Sequence, residues 1–431
     1  MKPQIFVNAR IFDGEGTPPQ PGEVRVVGNR IEAVAPPDQL DRTDCSLVDC
    51  GGNVLMPGLI EAHAHVTYTN FVHLKELGEV PPEEHVLITA QNARLMLDSG
   101  FTSLYSAASS KPRTEVVIRN AINAGTLPGP RMRAASPEIV STGGLGDERQ
   151  LHNPHHQGIE IIADGPDEIR RAVRTMIREG VDTIKMNISG DNFVRKNFGR
   201  QTSYTDAEVA AGAEEAHARG AWLSCHARAD AAVRLALKHK FRVIYHLDFI
   251  EGETFDLLEA AKDEIFLAPA IGIIYATAHE AEPWGITREV AEHMDLYKML
   301  ENCPRVYGEL RKRGLRVLPG GDYGFAWSPM GTNARDFEHF VTMLGYTPAE
   351  VLSAATKLGG QLMGYDDLGL IKPGYLADLL LVRGDPTEDV RLFQDRDNLL
   401  AIMKDGQFHK RPGQGVESGT VATKVVESVW Q

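Results

Sequence analysis

The segment Met56-Pro-Gly-Leu-Ile-Glu-Ala-His-Ala-His-Val66 is the stretch around which the chain is organised. It is an apolar run that Pro57-Gly58 interrupts and that ends in His63 and His65. Side chains alternate between the two faces of a β-strand, so both imidazoles would leave the same face. Two neutral imidazoles in that arrangement can bind one metal ion. A bare His-x-His pair also occurs in polar loops. Whether this pair binds metal or belongs to such a loop therefore depends on the residues of the other strands.

The composition limits the classes of function that the chain can have. Its 431 residues are enough for a large domain and a smaller one, and 42% hydrophobic with 24% charged residues is typical of a soluble globular protein. Lys+Arg of 45 against Asp+Glu of 59 gives a net charge of −14 without a basic cluster, which argues against a nucleic-acid partner. A homo-oligomer is compatible with these totals.

The sequence predicts a cytoplasmic protein that does not bind membranes. The first residues contain no sustained apolar region of the kind that a secretory signal has, and no apolar run is long enough to span a bilayer. The four cysteines show no CxxC spacing, so we expect reduced thiols and neither a disulfide framework nor a zinc knuckle.

Both ends of the chain have the pattern of short strands separated by turns. Alternating apolar residues recur in 4–53 and again in 377–383 and 400–406. Because the edges of a small β-layer need a partner, we expect the two ends to form one small β-sandwich. The predicted domains are residues 1–57 plus 365–410 for this sandwich, 58–364 for the region that it encloses, and 411–431 for a tail without an assigned role.

The enclosed region alternates apolar strands with helical patterns. Strands are predicted at 59–62, 102–106, 131–134, 183–188, 222–226, 243–246, 265–269 and 316–320. Helices are predicted at 84–97, 167–179, 206–219, 230–239, 254–261 and 288–312. Eight such repeats predict an α/β fold, a closed TIM (β/α)8 barrel. An open doubly wound sheet is the alternative, but no G-x-G-x-x-G turn follows a strand here.

Polar residues stand at or near the ends of five of these strands. In a (β/α) barrel the carboxyl ends of the strands carry the active site, so these side chains would converge. They are His63 and His65 on the first strand, Lys185 on the fourth, His226 on the fifth, His246 on the sixth and Asp322 after the eighth. One or two such coincidences would be unremarkable, but six together indicate metal-dependent catalysis.

This order of His-x-His, Lys, His, His and Asp resembles the amidohydrolase superfamily. The Met-Pro-Gly-Leu-Ile-x-x-His-x-His opening, Ser141-Thr-Gly-Gly-Leu-Gly-Asp147 and Gly374-Tyr-Leu-Ala-Asp-Leu379 are similar to segments of that superfamily. The nearest branch that can be named is the imidazolonepropionase-like one, which includes the Xaa-Pro dipeptidases (prolidases). The resemblance extends from about residue 3 to residue 406.

The resemblance implies a pair of divalent metal ions, with zinc expected, about 3.5–4 Å apart. It assigns His63, His65 and Asp322 to one ion and His226 and His246 to the other. Lys185 matches the lysine that becomes carboxylated and bridges both ions. The implied activity is hydrolysis of an amide, peptide-like or urea-type C–N bond in a small molecule by a metal-bound hydroxide, with Asp322 as the catalytic proton carrier.

Two alternatives involve the fourth and fifth strands. Asn187 lies on the same strand face as Lys185, and some urea- and thiocarbamate-cleaving relatives use an asparagine there with a single metal ion. Superfamily deaminases with one metal ion usually have His-x-x-Glu at the end of the fifth strand, where this chain has Ala229. Ring deamination is therefore the less favoured alternative.

The residues around the predicted ligands depart from the prolidase-like pattern. Arg228 and Leu145 stand where those relatives usually have a tyrosine and a histidine. Arg228 could bind a substrate carboxylate bidentately, or it could pair with a neighbouring acid such as Asp230. The other candidate substrate contacts, all on or beside long loops, are Tyr68, His155 and Tyr275.

Overall fold

The computed structural model describes residues 2–153 and 158–413. The predicted substrate contact His155 and most of the predicted tail lie outside these residues. Within the described part of the chain, no helix is both long enough and apolar enough to cross a membrane.

Strands from both ends of the chain form one mixed sheet. They are β1 (Gln4–Ile11), β2 (Gln20–Val27), β3 (Arg30–Ala35), β4 (Ser46–Asp49), β5 (Val54–Pro57), β15 (Leu379–Val382), β16 (Leu399–Lys404) and β17 (Gln407–Lys410). Their order in the sheet is β17-β16-β15-β5-β1-β2-β3, with β4 paired to β1. The two ends of the chain meet where β5 pairs antiparallel with β15, Met56 opposite Leu380.

This sheet is strongly curled. The rings of Phe6 on β1 and Phe408 on β17 are 5.9 Å apart, although three strands separate them in the sheet. In a flat sheet they would be about 19 Å apart, at about 4.8 Å per strand. The curl encloses a core that includes Val24, Leu55 and Leu379, so the predicted β-layer from both chain ends is confirmed as a single sheet folded over its own core.

The enclosed region is the predicted parallel barrel. Its strands are β6 (Leu59–Ala64), β7 (Phe101–Ser106), β8 (Arg131–Arg133), β9 (Ala135–Val140), β11 (Thr183–Asn187), β12 (Trp222–Ala229), β13 (Val243–Phe249) and β14 (Phe266–Ala268), with β10 (Ile161–Ile162) added beside β9. Parallel pairing runs from β6 to β8 and from β9 to β14, and Ala134 joins the two runs. Val317 bridges Leu267 of β14 in parallel, and Gly320 then lies against His63, which closes the ring.

Helices follow the barrel strands and cover the outside. They are α1 (Leu74–Glu79), α2 (Pro82–Asp98), α3 (Thr114–Asn123), α4 (Gly165–Glu179), α5 (Asp206–Ala218), α6 (Asp230–Lys238), α7 (Thr254–Ala260), α8 (Ile271–His279), α9 (Arg288–His293), α10 (Leu296–Lys312), α11 (Arg335–Thr342), α12 (Pro348–Ser353) and α13 (Gly359–Leu362). Local chemistry sets several ends, as in the capping box of Thr205 and Glu208 that begins α5.

Three elements differ from their sequence predictions. The eighth strand, predicted at 316–320, is reduced to the single parallel bridge of Val317 with Leu267. The third strand does not end at residue 134 but continues through β9 to Val140, which brings Glu138 to the carboxyl end of the barrel. The helix predicted at 288–312 is divided into α9 and α10, because Asp295 between them has a left-handed backbone with φ of 59°. Asp tolerates that conformation better than most residues, and it ends a helix.

Arginine and aromatic side chains alternate at the amino-terminal end of the barrel. The Arg133 guanidinium lies 4.7 Å from the centre of the Trp222 ring, and that of Arg242 lies 4.2 Å from it. Arg242 is also 5.0 Å from the ring of Phe266, which Arg316 covers at 3.9 Å. Each such cation–π contact contributes about 0.5–2 kcal/mol, and together they fill the end of the barrel opposite the predicted site.

Arg131 connects the barrel to the curled sheet. From β8 its guanidinium donates to Asp378 at 2.6 Å and to Asp405 at 2.5 Å, and it also contacts Ser103 at 3.1 Å. Asp378 is buried and also accepts the backbone N–H of Asp405 at 2.8 Å. The two parts of the molecule thus share one buried ion pair.

Replacing Asp378 with alanine should lower the free energy of unfolding by about 3 kcal/mol, because it leaves a buried guanidinium short of a partner. Urea denaturation followed by circular dichroism measures the change. The matched control is Glu292→Ala, which removes the exposed ion pair with Arg288 and should cost at most about 1 kcal/mol. Equal losses in the two variants would contradict a connecting role for Arg131.

Candidate metal centre

Five predicted ligand residues meet at the carboxyl end of the barrel. His63 and His65 leave the end of β6, His226 lies on β12 and His246 on β13, and all four imidazoles are buried. Donor atoms of His63, His246 and Asp322 lie within 4.8 Å of one another. The His65 Nε2 is 3.1 Å from the Asp322 Oδ1, and the His226 and His246 ring centres are 4.2 Å apart.

Two of these residues have a left-handed backbone, with φ of 81° at His246 and 62° at Asp322. Such conformations cost on the order of 1–3 kcal/mol each, and they cluster at functional sites. At His246 the unusual backbone breaks the alternation of the strand. As a result, Tyr245 and His246, although adjacent, both contact the ring of His63, at 3.9 Å and 5.5 Å between ring centres.

Tyr245 supports the centre from below. Its ring stacks on His63, its hydroxyl donates to the Ala62 carbonyl at 2.9 Å, and the Lys185 Nζ lies 4.6 Å from the ring centre. Tyr245 is not among the site residues predicted from the sequence. No sequence signal could have found it, because regular strand alternation would direct it away from the side of His246.

Two buried carboxyl groups fix the strands that carry His63 and Asp322. Glu61 accepts the backbone N–H of His63 and the side-chain amide of Asn333, both at 3.0 Å, while Asp336 accepts the N–H of Gly320 at 2.8 Å. Burial raises the pKa of Glu61 to about 8 and that of Asp336 to about 7. These groups hold the first and eighth segments of the barrel together.

The protonation states of three of the histidines and of Asp322 favour binding of a cation. Burial holds the pKa of His63, His226 and His246 well below the ordinary value, so their imidazoles are neutral and offer lone pairs. Burial acts to raise the pKa of Asp322, but His63 and His65 outweigh it and bring that pKa below the ordinary range. Neutral imidazoles with one carboxylate form a donor set of the kind that zinc prefers.

The hydrogen bonds of the histidine rings are also consistent with a cation-binding site. The His65 Nδ1 lies 3.1 Å from the Ala108 carbonyl, which can only accept, so Nδ1 carries a proton and Nε2 is the ring nitrogen that faces Asp322. The buried Nδ1 atoms of His63 and His246 have no hydrogen-bond partner among the described residues, and the Nε2 of His63 faces Asp322 at 3.8 Å. Buried imidazoles with so few partners are typical of a site that a bound group completes.

Lys185 and Asn187, the two candidates on β11, lie in different surroundings. Lys185 is 1% exposed and lines the cavity above the histidines, and burial lowers its pKa. Asn187 donates to the Leu145 carbonyl at 3.3 Å and so ties the loop after β9 to the barrel, while its buried Oδ1 has no partner among the described residues.

The cavity over these residues has a volume of about 640 Å³. Aromatic and aliphatic side chains form much of its wall: Tyr68, Phe71, Ile273, Ile286, Met294, Phe325 and Trp327. Glu138 also lines it, and β9 places Glu138 in register with Lys185. Glu138 is not among the predicted site residues because the predicted third strand ended before it.

The predicted substrate contacts occupy unequal positions. Tyr68 lines the cavity and stacks on His65, with 4.2 Å between ring centres. Tyr275 is not among the described residues that line the cavity. It lies on α8 and packs against His279 and His339, at 4.7 Å and 4.6 Å between ring centres, so the structure does not support its predicted substrate contact.

Arg228 also lines the cavity, but its guanidinium is already engaged. It pairs with Asp191 at 2.6 Å and with Asp248. The suggestion that Asp230 is its acidic partner is wrong, because Asp230 pairs with Arg234 on the outside of the barrel at 2.9 Å.

A closed (β/α) barrel with histidines and an aspartate converging at its carboxyl end defines a class of barrel enzymes with a metal-binding site. Comparison with known proteins names the family. The model of the Amidohydrolase family matches residues 54–408. The chain therefore belongs to the Amidohydrolase family and is a hydrolase, and both the predicted resemblance and the predicted fold are confirmed.

Individual relatives agree with this membership. The ochratoxinase of Aspergillus niger is 27% identical over 383 residues, which cover 84% of this chain and 77% of the relative. An imidazolonepropionase of Cereibacter sphaeroides is 22% identical over 429 residues, covering 93% and 98%. The crystal structure of a Xaa-Pro dipeptidase with bound methionine has a TM-score of 0.82 and 24% identity, covering 95% of this chain and 100% of that one.

Replacing Gly320 with alanine should disturb the centre. The added Cβ would lie 2.9 Å from the Cβ and the backbone nitrogen of His63, so the eighth segment must move away from β6 and carry Asp322 with it. We expect a loss of about 1–3 kcal/mol of stability and less bound metal, measured by thermal unfolding and by metal analysis.

The control for this variant is Gly308→Ala. Gly308 lies within α10, and an added Cβ there meets no other atom within 4 Å. This change should leave metal content unaltered and stabilise the helix by about 0.5–1 kcal/mol. A Gly320 variant that keeps normal stability and metal content would show that the close approach to His63 is not required.

Proposed function

We propose that this hydrolase cleaves a C–N bond of the amide, peptide-like or urea type in a small molecule, using two divalent metal ions, zinc by preference. The observation that carries the proposal is the convergence of four buried histidines and Asp322 around a buried Lys185 at the floor of a cavity. Relatives named ochratoxinase and Xaa-Pro dipeptidase support it.

The residues divide into two metal positions and a bridge. His63, His65 and Asp322 would hold one ion, and His226 with His246 the other. Lys185 is suited to the bridge because burial favours its neutral amine, which can add carbon dioxide to form a carbamate. A carbamate is an oxygen donor, whereas a lysine ammonium has only donors of hydrogen bonds and cannot be a ligand.

The ions when bound would lower the pKa of a water molecule and polarise the carbonyl of the scissile bond. Asp322 moves the proton. Its carboxylate is ionised near neutral pH and lies beside His65 at the floor of the cavity, where it can accept a proton from the attacking water. A nitrogen leaving group departs poorly as an anion, so Asp322 then delivers that proton to it.

The cavity supports a small substrate with an apolar or aromatic portion. Its volume of about 640 Å³ lies in the range of roughly 300–1,000 Å³ that small-molecule sites have. Phe71, Phe325 and Trp327 form an aromatic wall, and Tyr68, stacked on His65, is placed to contact the substrate close to the reacting bond.

Removal of metal should abolish turnover. A panel of N-acyl amino acids, dipeptides, aryl amides and ureas identifies a hydrolysed substrate, and treatment with a chelator should stop its hydrolysis until zinc is restored. A metal-free preparation with full activity would refute the proposal.

Asp322→Asn should reduce kcat by about 10²–10⁴-fold at unchanged fold, because a proton carrier is lost. His217→Ala, on the exposed side of α5, is the control and should behave as wild type.

Lys185→Ala and Asn187→Ala separate the two-ion site from a one-ion urea hydrolase or deaminase. If Lys185 bridges, its alanine variant should lose bound metal and activity, and a short carboxylic acid should partly restore both by replacing the carbamate oxygens. The Asn187 variant should keep its metal and lose only the anchor to Leu145. Metal analysis measures the number of ions bound per chain in each variant. The opposite pattern, one ion per wild-type chain and loss of it with Asn187→Ala, would favour the one-ion alternative.

A further inference from the structure

A chain of buried charges extends behind His226 and has no counterpart behind the other ligands in the described part of the molecule. It consists of Asp191, Arg228 and Asp248, whose side chains are each at most 4% exposed. Arg228 follows His226 by two residues on β12, and Asp248 follows His246 by two on β13. Each therefore belongs to the strand that carries a proposed ligand of the second ion.

The first link of this chain fixes the His226 ring. The Nε2 lies 3.2 Å from the Gly190 carbonyl and 3.4 Å from the Asp191 Oδ2. Both neighbours are acceptors, which assigns the proton to Nε2 and leaves the lone pair on Nδ1. A metal-binding histidine usually donates its other N–H to a carboxylate or a backbone carbonyl in this way, which orients the ring and raises its basicity.

The second link holds Asp191. Its Oδ2 accepts from the Arg228 Nε at 2.6 Å, and its Oδ1 accepts from the Phe193 N–H at 3.0 Å. Arg228 in turn donates through Nη1 to Asp248, and its backbone N–H donates to the Ser189 Oγ at 2.9 Å. Burial opposes the charge of the guanidinium, but the two carboxylates raise the pKa of Arg228 above its ordinary value.

Of the two carboxylates that Arg228 pairs with, the one of Asp191 faces the His226 ring. Arg228 thereby holds Asp191 in place beside the Nε2 of His226. The same pairing engages Nε and Nη1 of Arg228, so a substrate carboxylate that bound bidentately at the Nε edge would have to displace Asp191. Arg228 thus lines the cavity without being free to bind an anionic substrate through its Nε edge.

We propose that Asp191, Arg228 and Asp248 form a positioning network that presents the Nδ1 of His226 to the second divalent ion, and that Arg228 is not a clamp for a substrate carboxylate. The network rests on the two-ion site of the proposed function. It acts through His226 and does not touch the reacting atoms.

The test is zinc binding by full-length protein that has been stripped of metal, titrated against a competing chelator. Asp191→Asn keeps the shape and removes the charge, and it should weaken the second zinc equivalent 10–100-fold while leaving the first unchanged. Arg228→Lys should show a smaller loss in the same direction, since an ammonium cannot reproduce the fork that joins two carboxylates. Where Asp191→Asn does not give folded protein, Arg228→Lys supplies the measurement.

The matched control is Asp230→Asn. Asp230 pairs with Arg234 in the same Nε-to-carboxylate manner, but on the exposed side of α6, so its variant should bind both equivalents as wild type does. Second-equivalent affinity equal to wild type in Asp191→Asn and Arg228→Lys would overturn the network.

A pair of substrates that differ only in a carboxylate or a carboxamide separates positioning from clamping. The network predicts that Arg228→Lys lowers kcat for both by a similar factor. A rise in KM for the carboxylate substrate alone, at normal zinc affinity, would identify a clamp and refute the network. Wild type that binds a single zinc would refute the two-ion proposal itself, a result distinct from a failure of the variants.

Discussion

The contact of Gly320 with His63 is the constraint on which the site depends. There the eighth segment of the barrel meets the first, close enough that even a methyl group would not fit. The buried carboxyl groups of Glu61 and Asp336 hold the two backbones from behind. Closure at this point sets the distance between His63 and Asp322, two proposed metal ligands that lie more than 250 residues apart in sequence.

Burial has opposite effects on the two kinds of group at the site. It keeps the imidazoles neutral, which makes them donors for a cation. It also makes uncompensated charge costly, so the buried guanidinium of Arg228 is paired with two carboxylates. The site as folded therefore accommodates positive charge, and this property follows from the placement of the groups more than from their number.

The prediction from sequence succeeded where local pattern and chemistry coincide. Apolar strands followed by helices predicted the barrel, and histidines at strand ends indicated which faces converge. It failed at residues whose role depends on irregular backbone. Tyr245 shares a face with His246 only because φ at His246 is 81°, and Glu138 reaches the cavity only because β9 extends beyond the predicted strand end. The two-residue periodicity of a strand predicts neither the positive φ of His246 nor the length of β9.

The sequence by itself determined the fold class, the membership of both chain ends in one β-layer and the residues that meet at the carboxyl end of the barrel. These follow from hydrophobic spacing and from the chemical types of residues at strand ends, which are local properties. Only the tertiary structure decided what Arg228 pairs with, which groups line the cavity and how His226 is oriented. Those depend on contacts between strands far apart in the chain, and side-chain partners at such contacts are fixed by packing and the cost of buried charge, which no local pattern records.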